Sequence, residues 1–195
     1  MSTQLRKERE RAQRHQQIID TAREMAEAEG WDAVTIRKLA ERIEYSQPVL
    51  YSHFANKAAI VGAVALQGCV ELAEQLRLAR EAASTHTEVI ANVARAYLDF
   101  AEANPARYDA IFQQKTDLAF GLDAPQPLRD AFAGLEAMFA PFAEGDDLGA
   151  RTEVAWASLH GLATLDRSGR LRPELRERRI SLLVDGAAEG ATEPS

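Results

Sequence analysis

Gln47, Tyr51 and His53 stand close together, in a stretch whose apolar Leu50 and Phe54 would turn them outward on a short helix. Their chemistry suits recognition better than catalysis. A carboxamide offers a donor and an acceptor side by side and matches the edge of an adenine in a major groove. A phenol and an imidazole donate to phosphate oxygens. Nothing comparable points to an enzyme. There is no Gly-x-Ser-x-Gly, no Gly-rich phosphate loop and no His-Glu-x-x-His. His15, His53, His86 and His160 are scattered, and Asp146 and Asp147 share a turn-like segment. No catalytic residue, metal site or cofactor is expected.

The elements that would position these groups are helical. Ile18, Ala22, Met25 and Ala26 mark one face of a helix over about 14–29, closed by Gly30. Thr35 is an N-cap for a second helix with Ile36, Leu39, Ala40 and Ile43 on its buried face. Ser46 is the N-cap of a third, with Pro48 tolerated in its first turn. Asn56 caps a long fourth helix over roughly 57–82. Beyond it, apolar spacing predicts a helix ending near Asn104-Pro105, a short one around Tyr108 to Phe112, one over 128–142, one over about 150–166 and one over about 172–185. The segments 113–127 and 144–149 read as loop and turn, and 186–195 as a frayed tail. Trp31 reads as a core plug beneath a loop. No strand pattern of any length is present, so the fold class is all-α.

The net charge of −7 argues against a nucleic-acid partner until its distribution is considered. Residues 1–60 hold ten Lys/Arg against nine Asp/Glu, so the acid excess belongs to the later part. The first fourteen residues carry Arg6, Lys7, Arg9, Arg11 and Arg14 against Glu8 and Glu10. Screening over roughly 8–10 Å separates such a basic arm from distant carboxylates. Cys69 has no disulfide partner in the chain; an inert thiol is the plain reading and a thiol sensor the alternative. No apolar run looks long enough to cross a bilayer and no signal peptide is evident, so a cytoplasmic protein without a membrane partner is expected.

The order of elements, a helix, a helix-turn-helix and a linking helix into a larger helical body, carries a resemblance. Thr35, Leu39-Ala40, Ser46, Leu50-Tyr51-Ser52-His53-Phe54 and Asn56-Lys57 resemble the N-terminal DNA-binding domain of the TetR family of transcriptional regulators. Trp156-Ala-Ser-Leu-His160-Gly161 is similar to the Trp-x-x-x-His-Gly pattern of one branch of that family's regulatory domains. The family usually has a Gly in the turn; this chain has Glu44-Tyr45, so a non-Gly residue is expected in the left-handed region at a cost of about 1 kcal/mol.

The resemblance implies an N-terminal three-helix helix-turn-helix domain followed by a larger helical ligand-binding and dimerisation domain. The expected divisions are an arm over 1–13, a DNA-binding domain over 14–56, a body over 57–188 and a tail over 189–195. The DNA-facing set is Thr35, Arg37, Ser46, Gln47, Pro48, Val49, Tyr51, His53 and Lys57. Gln47 would read a base edge, Pro48 and Val49 would touch a thymine methyl, and Thr35, Tyr51, His53 and Lys57 would hold phosphates. Arg37 would reach a guanine or a phosphate, or stay an ordinary surface arginine. In the body, Tyr97, Phe100, Phe112, Phe120, Met138, Trp156 and His160 would include residues lining an effector pocket; at helical spacing such residues also build ordinary cores. Gly161 would let another helix approach closely. The implied partners are a near-palindromic DNA operator, a small-molecule effector and a second copy of the chain. The implied activity is ligand-released repression, transmitted by the helix that Lys57 opens. Two other readings stay open: a helical small-molecule binding or interaction protein without DNA binding, and a small helical enzyme.

Overall fold

Gln, Arg, Lys, Glu and Ala dominate the first thirty residues, with no Pro and no Gly before Gly30, and strong helix formers without a breaker make one long helix. In the computed structural model, which describes residues 3–119, 121–141 and 143–189, α1 therefore spans Thr3–Glu29. It begins well before the expected residue 14. Its early turns are exposed and carry i,i+4 pairs, Gln4 Nε2 to Glu8 at 3.0 Å and Arg6 to Glu10 at 3.6 Å. Gly30, at φ 81°, ends it.

Further along come α2 (Ile36–Arg42), α3 (Gln47–Tyr51), α4 (Lys57–Glu81), α5 (His86–Ala103), α6 (Pro105–Phe112), α7 (Gln126–Glu136), α8 (Gly145–Arg167) and α9 (Arg176–Glu189). No strand occurs among the described residues. Three boundaries differ from the sequence expectation. Segment 144–149 is not a separate turn, because Glu144 takes the extended N-cap conformation and α8 starts at Gly145. Asp146 and Asp147 then complement the positive end of the helix dipole, and Asp147 pairs with Arg151 at 2.7 Å. The helix expected over 128–142 runs from Gln126 to Glu136, followed by turns. The last helix starts at Arg176, after a 3-10 turn at Pro173–Leu175, and continues to Glu189. The rest of the expected tail, with Phe120 and Phe142, lies outside the described residues.

The chain forms two compact units. The first comprises residues 1–68 and 104–125, so it takes in the start of α4 and all of α6. Its core gathers Ile18, Ala22 and Met25 of α1, Leu39 of α2, Leu50 of α3, Ile60 and Val64 of α4, and Ala106 and Ala110 of α6. Trp31 is buried among them, as a core plug should be. Gly68 on α4 leaves room for α6: a Cβ there would meet Ile111 at 3.1 Å and Arg107 at 3.2 Å.

The second unit comprises residues 69–103 and 126–195. Here α5 packs against α8 and α9, and α7 against α8. Tyr97 and Phe100 on α5, Met138, Leu159 on α8 and Ile180 on α9 are fully buried. A row of ion pairs joins α5 to α9: Arg95 with Glu177 at 2.8 Å, and Arg176 with both Asp99 and Glu102. The Arg95 guanidinium beside Glu177 holds that carboxyl below its usual range.

By length and composition α4 is apolar enough to cross a bilayer, contrary to the expectation that no segment is. Half of that stretch is buried inside the protein, and α4 is a core helix.

Candidate nucleic-acid interface

The interface is built on the turn between α2 and α3. Thr35 caps α2, its hydroxyl oxygen accepting from the Lys38 N–H at 3.2 Å. The helix ends when Glu44 enters the left-handed region at φ 57°. That conformation lets the Tyr45 N–H reach back to the Ala40 carbonyl at 2.9 Å and the Glu44 N–H to Glu41 at 3.4 Å. These are the bonds a glycine-terminated helix makes, so the departure in sequence leaves the turn geometry intact. Tyr45 adds a brace: its hydroxyl donates to Gln17 of α1 at 3.3 Å.

Ser46 sits at the N-cap of α3 in extended conformation, yet its hydroxyl makes no capping bond. Its carbonyl accepts from the N–H groups of Val49 and Leu50. Leu50 is fully buried and Phe54 nearly so, and they pin α3 to the core. Ser46, Gln47, Pro48 and Tyr51 are exposed, Tyr51 at 53%. Val49 and His53 are half-buried. A five-residue helix thus presents a carboxamide, a pyrrolidine and a phenol on one outward face.

Two of the sequence-predicted residues have prior engagements. Arg37 is exposed but pairs with Glu41 at 2.9 Å, an i,i+4 surface pair worth a few tenths of a kcal/mol. Lys57 is half-buried and donates to the Trp31 carbonyl at 2.5 Å. No local pattern of residues marks this tether, because Trp31 is 26 residues away. Asn56 caps α4 as expected, its Oδ1 accepting from Ala59 N–H at 2.8 Å.

The structure also brings up groups that the DNA-facing set omits. Arg11 Nη2 of α1 donates to the Ser52 carbonyl at 3.5 Å. His15 stacks on Phe54 with ring centroids 4.3 Å apart, and lies 6.0 Å from His53. Burial, then the charges of His15, Arg11 and Arg14, hold the His53 imidazole below its ordinary pKa. The available signal was the four-residue spacing of Arg11 and His15, which continues the buried face of α1 marked by Ile18.

The residues expected to line an effector pocket divide. Tyr97, Phe100 and Met138 are buried in the second unit, and Trp156 and His160 are half-buried there. Trp156 Nε1 donates to the Tyr97 hydroxyl at 3.2 Å, and Phe132, absent from the predicted set, meets Trp156 edge-on. Burial lowers the pKa of His160. Phe112 belongs instead to the first unit, beside Tyr108 at 4.7 Å. The space over Gly161 is open within the chain, with nothing inside 4 Å of a Cβ. Among the described residues no His/Cys/Asp/Glu group is arranged to hold a metal ion.

Comparison with known proteins bears on both units. Residues 18–64 match the family described as bacterial regulatory proteins, tetR family, and residues 90–186 match the tetracyclin repressor-like C-terminal domain. The chain is 33% identical over 98 residues to the HTH-type transcriptional regulator YobS of Bacillus subtilis (strain 168), a match spanning 48% of either chain and so about half the relative's length. It is 26% identical over 156 residues to the HTH-type transcriptional regulator Rv0681 of Mycobacterium tuberculosis (strain ATCC 25618 / H37Rv), covering 78% of this chain and 69% of that one. A solved structure of a protein with unknown function from Rhodococcus sp. RHA1 superposes with a TM-score of 0.71 at 25% identity, covering 92% of this chain and 95% of the other.

Proposed function

This chain belongs to the TetR family of transcriptional regulators, and from that premise we propose that it is a one-component repressor that binds a near-palindromic operator as a dimer and leaves it when a small molecule binds. The observation that carries the DNA reading is the outward face of α3. Gln47, Pro48 and Tyr51 are exposed on a helix held by buried Leu50 and Phe54, and no core requirement explains a phenol at 53% exposure. Gln47 reads a base, Pro48 and Val49 contact a methyl group, and Thr35, Tyr51 and His53 hold phosphates. Thr35 keeps its hydroxyl proton for donation, since its cap bond uses only the oxygen lone pair. Ser46, whose hydroxyl makes no capping bond, joins them. Arg37 reaches DNA by exchanging Glu41 for a phosphate.

Dimerisation through α8 and α9 is supported by large apolar side chains left exposed on both: Val154, Leu165 and Leu182. Two copies of α3 must then stand about 34–36 Å apart to enter successive major grooves. The effector is small and largely apolar, and Tyr97 with Trp156 supplies a polar point in aromatic surroundings. An effector that favours another spacing of the two recognition helices shifts the population off the operator, with a coupling of typically about 1–3 kcal/mol. The lever is α4, since Lys57 to Gly68 belongs to one unit and Cys69 to Glu81 to the other.

Selection of random duplex DNA by the purified protein, read by sequencing, tests this. A near-palindromic consensus is the expected result. No enrichment by folded, dimeric protein would leave the helical binding protein without DNA activity as the better reading.

A further inference from the structure

Four basic side chains meet where the exposed part of α1 passes the end of α3. Arg11 and His15 are one helical turn apart on α1, and Arg14 is adjacent. Arg11 is bonded to the Ser52 carbonyl at 3.5 Å, and the His15 ring, stacked on Phe54, lies 6.0 Å from that of His53. The charged groups that bear on His53 are all on α1: His15, Arg11 and Arg14. Glu10 is the carboxylate associated with them, and it is shared between Arg14 at 3.9 Å and Arg6 at 3.6 Å. From α4, Lys57 is directed to the Trp31 carbonyl.

We propose that Arg11, Arg14, His15 and His53 form one site for a backbone phosphate, and that filling it is linked to proton uptake by His53. The proposal rests on the reading that α3 faces DNA. In the free protein, proton binding at His53 is opposed by burial and by every charge that bears on it. A phosphodiester reverses the local potential and does not itself titrate near neutrality. The proton that is unfavourable in the free protein is then favourable in the complex. The sign follows. The free-state value lies below the ordinary imidazole value of about 6.5, and the bound-state value is higher. Affinity therefore rises as pH falls between the two, and levels off when both states are protonated. One proton gives at most about a tenfold rise per pH unit. A clamp of arginines alone would hold the phosphate with no such dependence.

The probe is a random-sequence duplex of about 30 base pairs, because phosphate contacts are independent of sequence. Full-length protein is titrated at fixed ionic strength from about pH 8.5 down to about pH 5.5. The expected result is an affinity about three- to tenfold higher near pH 6 than near pH 8. His53→Asn, or His53→Gln where the first variant melts early, removes most of that rise. The pair Arg11→Ala and Arg14→Ala weakens binding at every pH and lowers the salt slope by about one, the share of a single phosphate. A flat wild-type profile with duplex bound at pH 8 overturns the proton linkage and leaves the DNA reading standing. A rise that survives in His53→Asn also overturns it. No duplex bound at any pH by folded protein overturns the DNA reading and this proposal with it.

Discussion

Trp31 donates its indole N–H to the Ala106 carbonyl at 2.8 Å, across 75 residues of chain, and the bond is buried. Glu27 accepts the N–H of the same Ala106 at 3.3 Å. Ala106 lies in the first turn of α6, where backbone N–H groups have no partner within the helix. Both polar groups of one residue therefore fasten the start of α6 to the end of α1 and the turn after it. Trp31→Phe keeps most of the buried ring and removes the donor, while the Ala106 carbonyl keeps its place in the helical ladder of α6. The expected loss is about 0.5–1.5 kcal/mol, against roughly 3–5 kcal/mol for Trp31→Ala, which also opens a cavity. Thermal unfolding decides: a Phe variant that melts with the wild type would show that the hydrogen bond adds nothing.

Glu44 is the one non-Gly residue with positive φ among the described residues. Two substitutions separate its carboxylate from its backbone. Glu44→Ala removes the charge and keeps the strain; Glu44→Gly removes both. Relief of the left-handed conformation is worth about 1–2 kcal/mol, offset by about 0.5–1 kcal/mol for the freedom Gly gains when unfolded. The Gly variant is expected to melt a few degrees above the Ala variant. Equal Tm values would mean that φ 57° carries no strain here.

Much of this arrangement was legible in sequence, because it depends on local signals. Caps at Thr35 and Asn56, the 3.6-residue period of Ile18, Ala22 and Met25, and the four-residue spacing of Leu50 and Phe54 each act within one turn of helix. The glycine-free turn was legible for the same reason. What sequence could not give was set by distant partners. Lys57 reads as an open ammonium until Trp31 is seen beside it, and Arg11 reads as part of an arm, apart from His15 on the first helix, until Ser52 and Phe54 supply a surface for both. The start of α8 was missed because Gly145-Asp-Asp has weak helix propensity, while the acidic pair gains from the helix dipole. Phe112 was grouped with Tyr97 because periodicity marks burial without saying in which unit.

Cys69 is buried on α4, and burial pushes its thiol pKa up to about 12. Since the thiolate is the reactive form, native protein is expected to resist an aromatic disulfide reagent at pH 8 and to react fully once unfolded by denaturant. Rapid native labelling would restore thiol sensing as a role for this residue.

Lys57 and Gln47 are expected to fail in different ways. Lys57→Ala removes the bond to the Trp31 carbonyl, so Tm falls, and it also removes an ammonium at the start of α4. If that ammonium serves a phosphate through its remaining donors, affinity drops on all sequences alike and the salt slope flattens by about one. A lower Tm with an unchanged slope would assign Lys57 to the tether alone. Gln47 is exposed on α3, so Gln47→Ala leaves Tm unchanged. Its expected loss is about 1–3 kcal/mol at one base pair of the selected operator, with relaxed preference there. A loss spread evenly over operator variants would mean that Gln47 holds the backbone and that another residue of α3 reads the base.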